Sequence, residues 1–126
     1  MRTWTLQVKR KFDSAHKLNC YNGACANLHG HTWEFQVHVQ VTKLLEGVEF
    51  GVDFKDVKKT IDEHITDKFD HHFINDILPQ PTAENIAAYI LDTLRPIFKE
   101  KFGADVPQVD VWETANSCVS VTDTQK

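Results

Sequence analysis

Two alternating rows of side chains, each with histidine at one end, narrow what this chain can fold into. Across residues 29–42, Trp33, Phe35, Val37, Val39 and Val41 are apolar, while Thr32, Glu34, Gln36, His38 and Gln40 between them are polar. Such alternation predicts a half-buried β-strand, because successive strand side chains point to opposite faces. Near the N-terminus, Trp4, Leu6, Val8 and Phe12 alternate with Thr5, Gln7, Lys9 and Lys11, and His16 continues the apolar row. His29 and His31 lead the second row. A loop over residues 18–28, with Asn22-Gly23 as a turn signal, predicts an antiparallel pair whose histidine-bearing ends are neighbours. His16, His29 and His31 are therefore candidate ligands for one metal ion, and neutral imidazoles suit zinc. Cys25 adds a thiol to the same stretch, and Gly30 leaves room for a close approach on the opposite side.

Further along, Phe54, Val57, Ile61 and Ile65 recur at helical spacing, predicting a helix that starts near Asp53. Residues 67–81 read as irregular. A second helix is expected from Pro81-Thr82, with Thr82 as its cap, Ile86, Ala87, Ile90, Leu91, Leu94 and Phe98 facing the core, a kink at Pro96 and a stop at Gly103. Val109 with Val111, and Val119 with Val121, predict two closing strands around a polar turn at Ala115-Asn116. The order strand, strand, helix, helix, strand, strand implies an α+β single domain over residues 1–126: a four-stranded antiparallel sheet with two helices on one face. Open sheet edges are an association hazard, so sheets of several subunits are expected to join edge to edge into an oligomeric barrel.

Charge and composition exclude some roles. A formal net charge of -4 without a basic stripe argues against general nucleic-acid binding. Three cysteines at irregular spacing fit a reduced compartment better than a disulfide framework. The first residues alternate in polarity and lack the continuous apolar stretch of a signal peptide or membrane span, so a cytoplasmic protein is the expectation.

Two further features carry chemistry. Glu113 follows Val109 and Val111 on an apolar row, where an unpaired carboxylate would be costly. It lies near solvent at the strand end or accepts hydrogen bonds from a ligand. Asp70-His71-His72 places a carboxylate beside imidazoles, an arrangement that makes an acid or base useful near neutral pH. His38 and His64 read as surface residues, and Trp4, Trp33 and Trp112 as core or interface residues.

These residues fall into blocks that run the length of the chain: F-D-S-A-H at residues 12–16, C-x3-H-G-H at 25–31, V-D-F at 52–54, D-H-H-F-I-N at 70–75, P-T-A-E-N at 81–85 and W-E-T at 112–114. Together they resemble the 6-pyruvoyl-tetrahydropterin synthase superfamily. The short spacing from Cys25 to His29 is similar to its bacterial 6-carboxy-5,6,7,8-tetrahydropterin synthase branch, of the queuosine pathway. The resemblance implies a tunnelling fold, commonly a homohexamer of two stacked trimers with active sites at subunit interfaces. It implies zinc held by His16, His29 and His31, Cys25 as general base, Asp70 and His71 as a proton relay, and Glu113 as the pterin anchor. The implied reaction is a lyase conversion of 7,8-dihydroneopterin triphosphate to 6-carboxy-5,6,7,8-tetrahydropterin, acetaldehyde and triphosphate. Alternatives are triphosphate elimination to 6-pyruvoyl-tetrahydropterin, a related folate-pathway activity, or a noncatalytic zinc- or pterin-binding protein. Two positions depart from the usual pattern: Thr32-Trp33 after H-G-H, and Cys118 where an aromatic residue is more common.

Overall fold

The computed structural model describes residues 1–18 and 28–123, with His29 described by its backbone alone. Strands β1 (Trp4–His16), β2 (His29–Val41), β3 (Asp105–Thr114) and β4 (Ser117–Thr122) form one antiparallel sheet in the order β1-β2-β3-β4. The expected register follows from the two alternating rows. Val8 pairs with Val37, Phe12 with Trp33 and His16 with His29, so the apolar rows share one face and the histidine-bearing ends meet. Phe35 pairs with Val111 and Val37 with Val109, which extends the same face into β3.

Helices cover that face. Helix α1 (Phe54–Ile61) starts at Asp53, whose carboxylate accepts the Lys55 N–H at 2.9 Å. The chain then widens into one π-helical stretch, Asp62–Thr66, and returns to α geometry over Asp67–Phe69 (α2). The helical path thus extends past residue 67, where irregular structure was expected. Val57, Ile61, Ile65 and Phe69 are all fully buried, so the packing row continues to the end of α2. Helix α3 (Ala83–Phe102) is capped by Thr82, which accepts the Asn85 N–H at 3.0 Å, and ends at Gly103 with φ of 63°. Gly103 takes the left-handed conformation that favours glycine, and the Gly103 and Ala104 amides close the helix on the Lys99 and Phe98 carbonyls. Pro96 lies inside this continuous helix. Pro96 and Asp92 are both exposed, and the proline has no N–H to offer the Asp92 carbonyl one turn earlier.

The core between sheet and helices includes Phe12, Trp33, Phe35, Ile61, Phe69, Ile90, Leu94 and Phe98, each at most 2% exposed. Burial of this kind contributes about 1.5–3 kcal/mol per large apolar side chain relative to exposure. Arg10 interrupts the apolar row of β1. Its guanidinium reaches the start of the π-helical stretch and donates to both Asp62 carboxylate oxygens, at 2.9 and 2.7 Å.

One end of the β1 edge is occupied. The single Ser14 hydroxyl proton is shared between the Phe69 carbonyl, 2.9 Å from Oγ, and the His72 carbonyl, the His71 amide donates to the Asp13 carbonyl at 2.7 Å, and Ala15 bridges Phe73 in parallel. Residues 70–73 are thereby held beside the last residues of β1. The fold thus delivers the D-H-H stretch to the histidine end of the sheet. Among the described residues no helix is long and apolar enough to cross a membrane.

Candidate metal centre and its cleft

Strand register alone sets His16 beside the second histidine-bearing row, and local packing fixes its orientation. The His16 side chain is fully buried, with its Nδ1 2.8 Å from the Pro81 carbonyl oxygen. A carbonyl can only accept, so Nδ1 carries the proton and donates it. In the neutral imidazole that bond leaves Nε2 with its lone pair directed into the site, the tautomer a metal ligand needs. Trp33 supports both imidazoles from the same row. Its ring lies edge-on to His16, with centroids 4.9 Å apart, and to His31, with centroids 5.6 Å apart. The His16 and His31 rings are themselves 5.4 Å apart.

Glu113 joins them. Its Oε2 lies 3.0 Å from His16 Nε2 and 3.6 Å from His31 Nε2, and its side chain is 31% exposed. The β3–β4 pairing shifts register between Trp112 and Thr114, and such irregularities commonly re-aim a side chain. The carboxylate faces the imidazoles rather than open solvent, unlike the expectation that it lies near solvent at the strand end. One ligand atom from each of His16, His31 and Glu113 lies within 4.8 Å of the others. A tetrahedral zinc site with bonds of about 2.0–2.1 Å separates its ligand atoms by roughly 3.3–3.4 Å. The two measured separations bracket that value, so nitrogen and carboxylate donors here fit such an ion. His31 is a partly exposed member of the set.

His29 pairs through its backbone with His16; its side chain, Cys25 and Cys20 lie outside what is described. Cys118 is exposed on β4.

A cleft of about 650 Å³ opens beside the cluster, lined in part by Asp13, Gly30, His31, Thr32, His71 and His72. His31 thus belongs to both cleft and metal cluster. His71 lines the cleft, and Asp70 precedes it, bonded to the lining residue Asp13. Asp70 Oδ1 accepts the Asp13 N–H at 2.9 Å, while Oδ2 lies 3.6 Å from His71 Nε2, beyond hydrogen-bond length. His71 has φ of 57°, in the left-handed region, and its side chain is 79% exposed. A non-glycine residue pays in conformational energy to sit there, and such outliers cluster at functional sites. His72 braces the turn by donating from Nδ1 to the Asp70 carbonyl at 2.7 Å.

Two participants escaped sequence reasoning. Pro81 acts through a backbone oxygen, which leaves no residue-type signal. The Thr32 hydroxyl donates to Asp13 Oδ1 at 2.6 Å inside the cleft; its odd position after H-G-H was the available hint.

On the opposite face of the sheet, His38 is only 14% exposed in its side chain, with Nε2 2.6 Å from Asp110 Oδ2. His38 is thus a half-buried partner of Asp110 rather than a plain surface residue. Trp112 on this face carries Lys9 over its ring at 4.3 Å.

A model of the family described as 6-pyruvoyl tetrahydropterin synthase matches residues 5–124. A protein of Synechocystis named 6-carboxy-5,6,7,8-tetrahydropterin synthase is 33% identical over 122 residues, covering 93% of this chain and 89% of that protein. A Haemophilus influenzae protein of the same name is 30% identical over 130 residues, covering 84% and 89%. The fold matches that of Caenorhabditis elegans 6-pyruvoyl tetrahydropterin synthase with a TM-score of 0.83 at 20% identity, over 98% of each chain.

Proposed function

This chain belongs to the 6-pyruvoyl tetrahydropterin synthase family, and from that footing we propose that it is a zinc-dependent 6-carboxytetrahydropterin synthase. The substrate is 7,8-dihydroneopterin triphosphate. With one water, the products are 6-carboxy-5,6,7,8-tetrahydropterin, acetaldehyde and triphosphate, a step toward queuosine and related 7-deazapurines. The observation that carries this reading is the convergence of His16, His31 and Glu113 beside the cleft lined by His31 and His71, in a chain that the Synechocystis and Haemophilus influenzae proteins of that name match over most of its length.

The roles follow from residue chemistry. His16 and His31, with His29, hold the ion, which when bound acts as a Lewis acid toward the hydroxyls of the substrate side chain. Glu113 presents two acceptor oxygens to the ring N–H and 2-amino group of the pterin, a bidentate match. Cys25, as thiolate, removes a proton from the substrate side chain. His71, with Asp70 beside it, returns protons as the ring is reduced at the expense of the side chain. The left-handed backbone at His71 and the Asp70 bond to the Asp13 amide favour a positioned turn over a solvated loop.

The working unit in this proposal is a cytoplasmic homohexamer, two stacked trimers whose sheets close into a barrel, with residues 1–126 as a single synthase domain. Among the described residues the outer edge of β4 has no strand partner in the sheet order, which favours joining there.

Coupling the reaction to alcohol dehydrogenase tests the reading. Zinc-loaded protein given dihydroneopterin triphosphate should consume NADH in step with substrate as acetaldehyde forms. Substrate loss without NADH oxidation would refute carbon-carbon cleavage and favour triphosphate elimination.

A further inference from the structure

Glu113 is assigned one task by the reaction, clamping the pterin, but the structure puts it to another. Its Oε2 faces both His16 Nε2, at 3.0 Å, and His31 Nε2, at 3.6 Å. Because His16 donates its Nδ1 proton to the Pro81 carbonyl at 2.8 Å, the neutral imidazole, which is the form that binds a metal, turns its Nε2 lone pair toward the carboxylate. A lone pair and a carboxylate oxygen meet favourably across a cation, and the two separations from Glu113 Oε2, 3.0 and 3.6 Å, suit a small tetrahedral ion with the three donor atoms all within 4.8 Å of one another. Turning Oε2 to the ion and presenting both oxygens side by side to the two pterin N–H donors are competing demands on one carboxylate.

We propose that Glu113 is an exchangeable ligand: it completes the coordination of the ion while the cleft is empty, and transfers to the pterin ring when substrate enters. Substrate entry then opens a coordination position and fixes the ring with a single side-chain movement. The placement supports this. Glu113 sits where the β3–β4 register shifts, at 31% side-chain exposure, so its carboxylate is not locked in the core. By linkage, a pterin that takes Glu113 away weakens the hold on the ion, and the ion weakens pterin binding by the same factor.

This inference rests on the zinc and pterin assignments above, and its test separates the two. The probes are Zn2+ titrated against a chelator, Co2+ as a spectroscopic substitute, and unsubstituted pterin, which lacks the hydroxylated side chain. Wild-type protein should bind one equivalent of Zn2+ per chain. Its affinity should fall several-fold when pterin saturates the cleft, and the Co2+ visible bands should shift on pterin addition. Glu113→Gln, checked for native circular dichroism, should bind Zn2+ roughly tenfold or more weakly, and pterin should leave that affinity and the Co2+ bands unchanged. Equal Zn2+ affinity in wild type and Glu113→Gln, with Co2+ bands indifferent to pterin in the wild type, would overturn the exchange while leaving the zinc reading intact. Failure of the wild type to bind Zn2+ would overturn both. The wild-type cobalt measurement decides the matter even if the variant does not fold.

Discussion

The Pro81 carbonyl accepts the Nδ1 proton of His16 at 2.8 Å, and so the residue before the α3 cap sets which nitrogen faces the candidate metal centre. The link joins two blocks of sequence far apart in the chain. It also gives α3 a part in the site: the helix cap at Thr82 fixes the turn whose carbonyl orients the ligand.

His31 is both cleft wall and proposed ligand. His31→Ala should retain the fold, since the residue is partly exposed, and should lose zinc affinity by at least 100-fold. Metal analysis after dialysis against a chelator checks this. Stoichiometric zinc in the variant would remove His31 from the ligand set.

The backbone of His71 predicts opposite effects on stability and activity. At φ of 57° an L side chain is strained by about 1–2 kcal/mol, and glycine is not. Allowing for the greater freedom of glycine in the unfolded chain, His71→Gly should raise stability by up to about 1 kcal/mol, while turnover falls by roughly 100-fold or more. Urea unfolding and steady-state kinetics give the two numbers. Unchanged turnover would remove His71 from the relay.

Asp110 predicts an acid limb in stability. Burial on its own would raise its pKa, but hydrogen bonds from Ser120, His38 and Gln108 outweigh it and hold the carboxyl below its ordinary value. A carboxyl with a lower pKa in the folded than in the unfolded state stabilises the fold at higher pH, and that contribution fades as pH falls through the folded value. The loss therefore begins below about pH 4 and continues on further acidification. Asp110→Asn should be less stable than wild type at pH 7 and should show a flatter decline below pH 4, measured by thermal unfolding across pH. Parallel curves would exclude Asp110 as the source.

Cys25→Ala should keep zinc and secondary structure and lose turnover by roughly 100- to 10,000-fold, the usual worth of a general base. Pre-loading with zinc and following substrate consumption checks it. Parent-like turnover would assign the base elsewhere.

The sheet was readable because a period-two pattern determines face as well as element: once Trp33, Phe35 and Val37 faced inward, His31 and His16 had to follow. Both helix caps were likewise local, carried by Asp53 and Thr82. The end of the first helical path was misplaced because Ile65 and Phe69 keep their four-residue step through the π-helical stretch into a segment dense in charge. Glu113 was legible as an anomaly, but its direction depended on a register shift in β3 that no residue type announces. Asp110 and His38 were missed as a pair for a different reason: polar residues on the outer face of a strand read as solvated until cross-strand neighbours are known.

The central claim is tested most directly by mass spectrometry of the pterin formed when zinc-loaded protein meets dihydroneopterin triphosphate without added reductant. The account predicts 6-carboxy-5,6,7,8-tetrahydropterin, a ring that has lost two side-chain carbons as acetaldehyde. A pyruvoyl-tetrahydropterin retaining every side-chain carbon would contradict it, while leaving the metal centre and the proposed base in place.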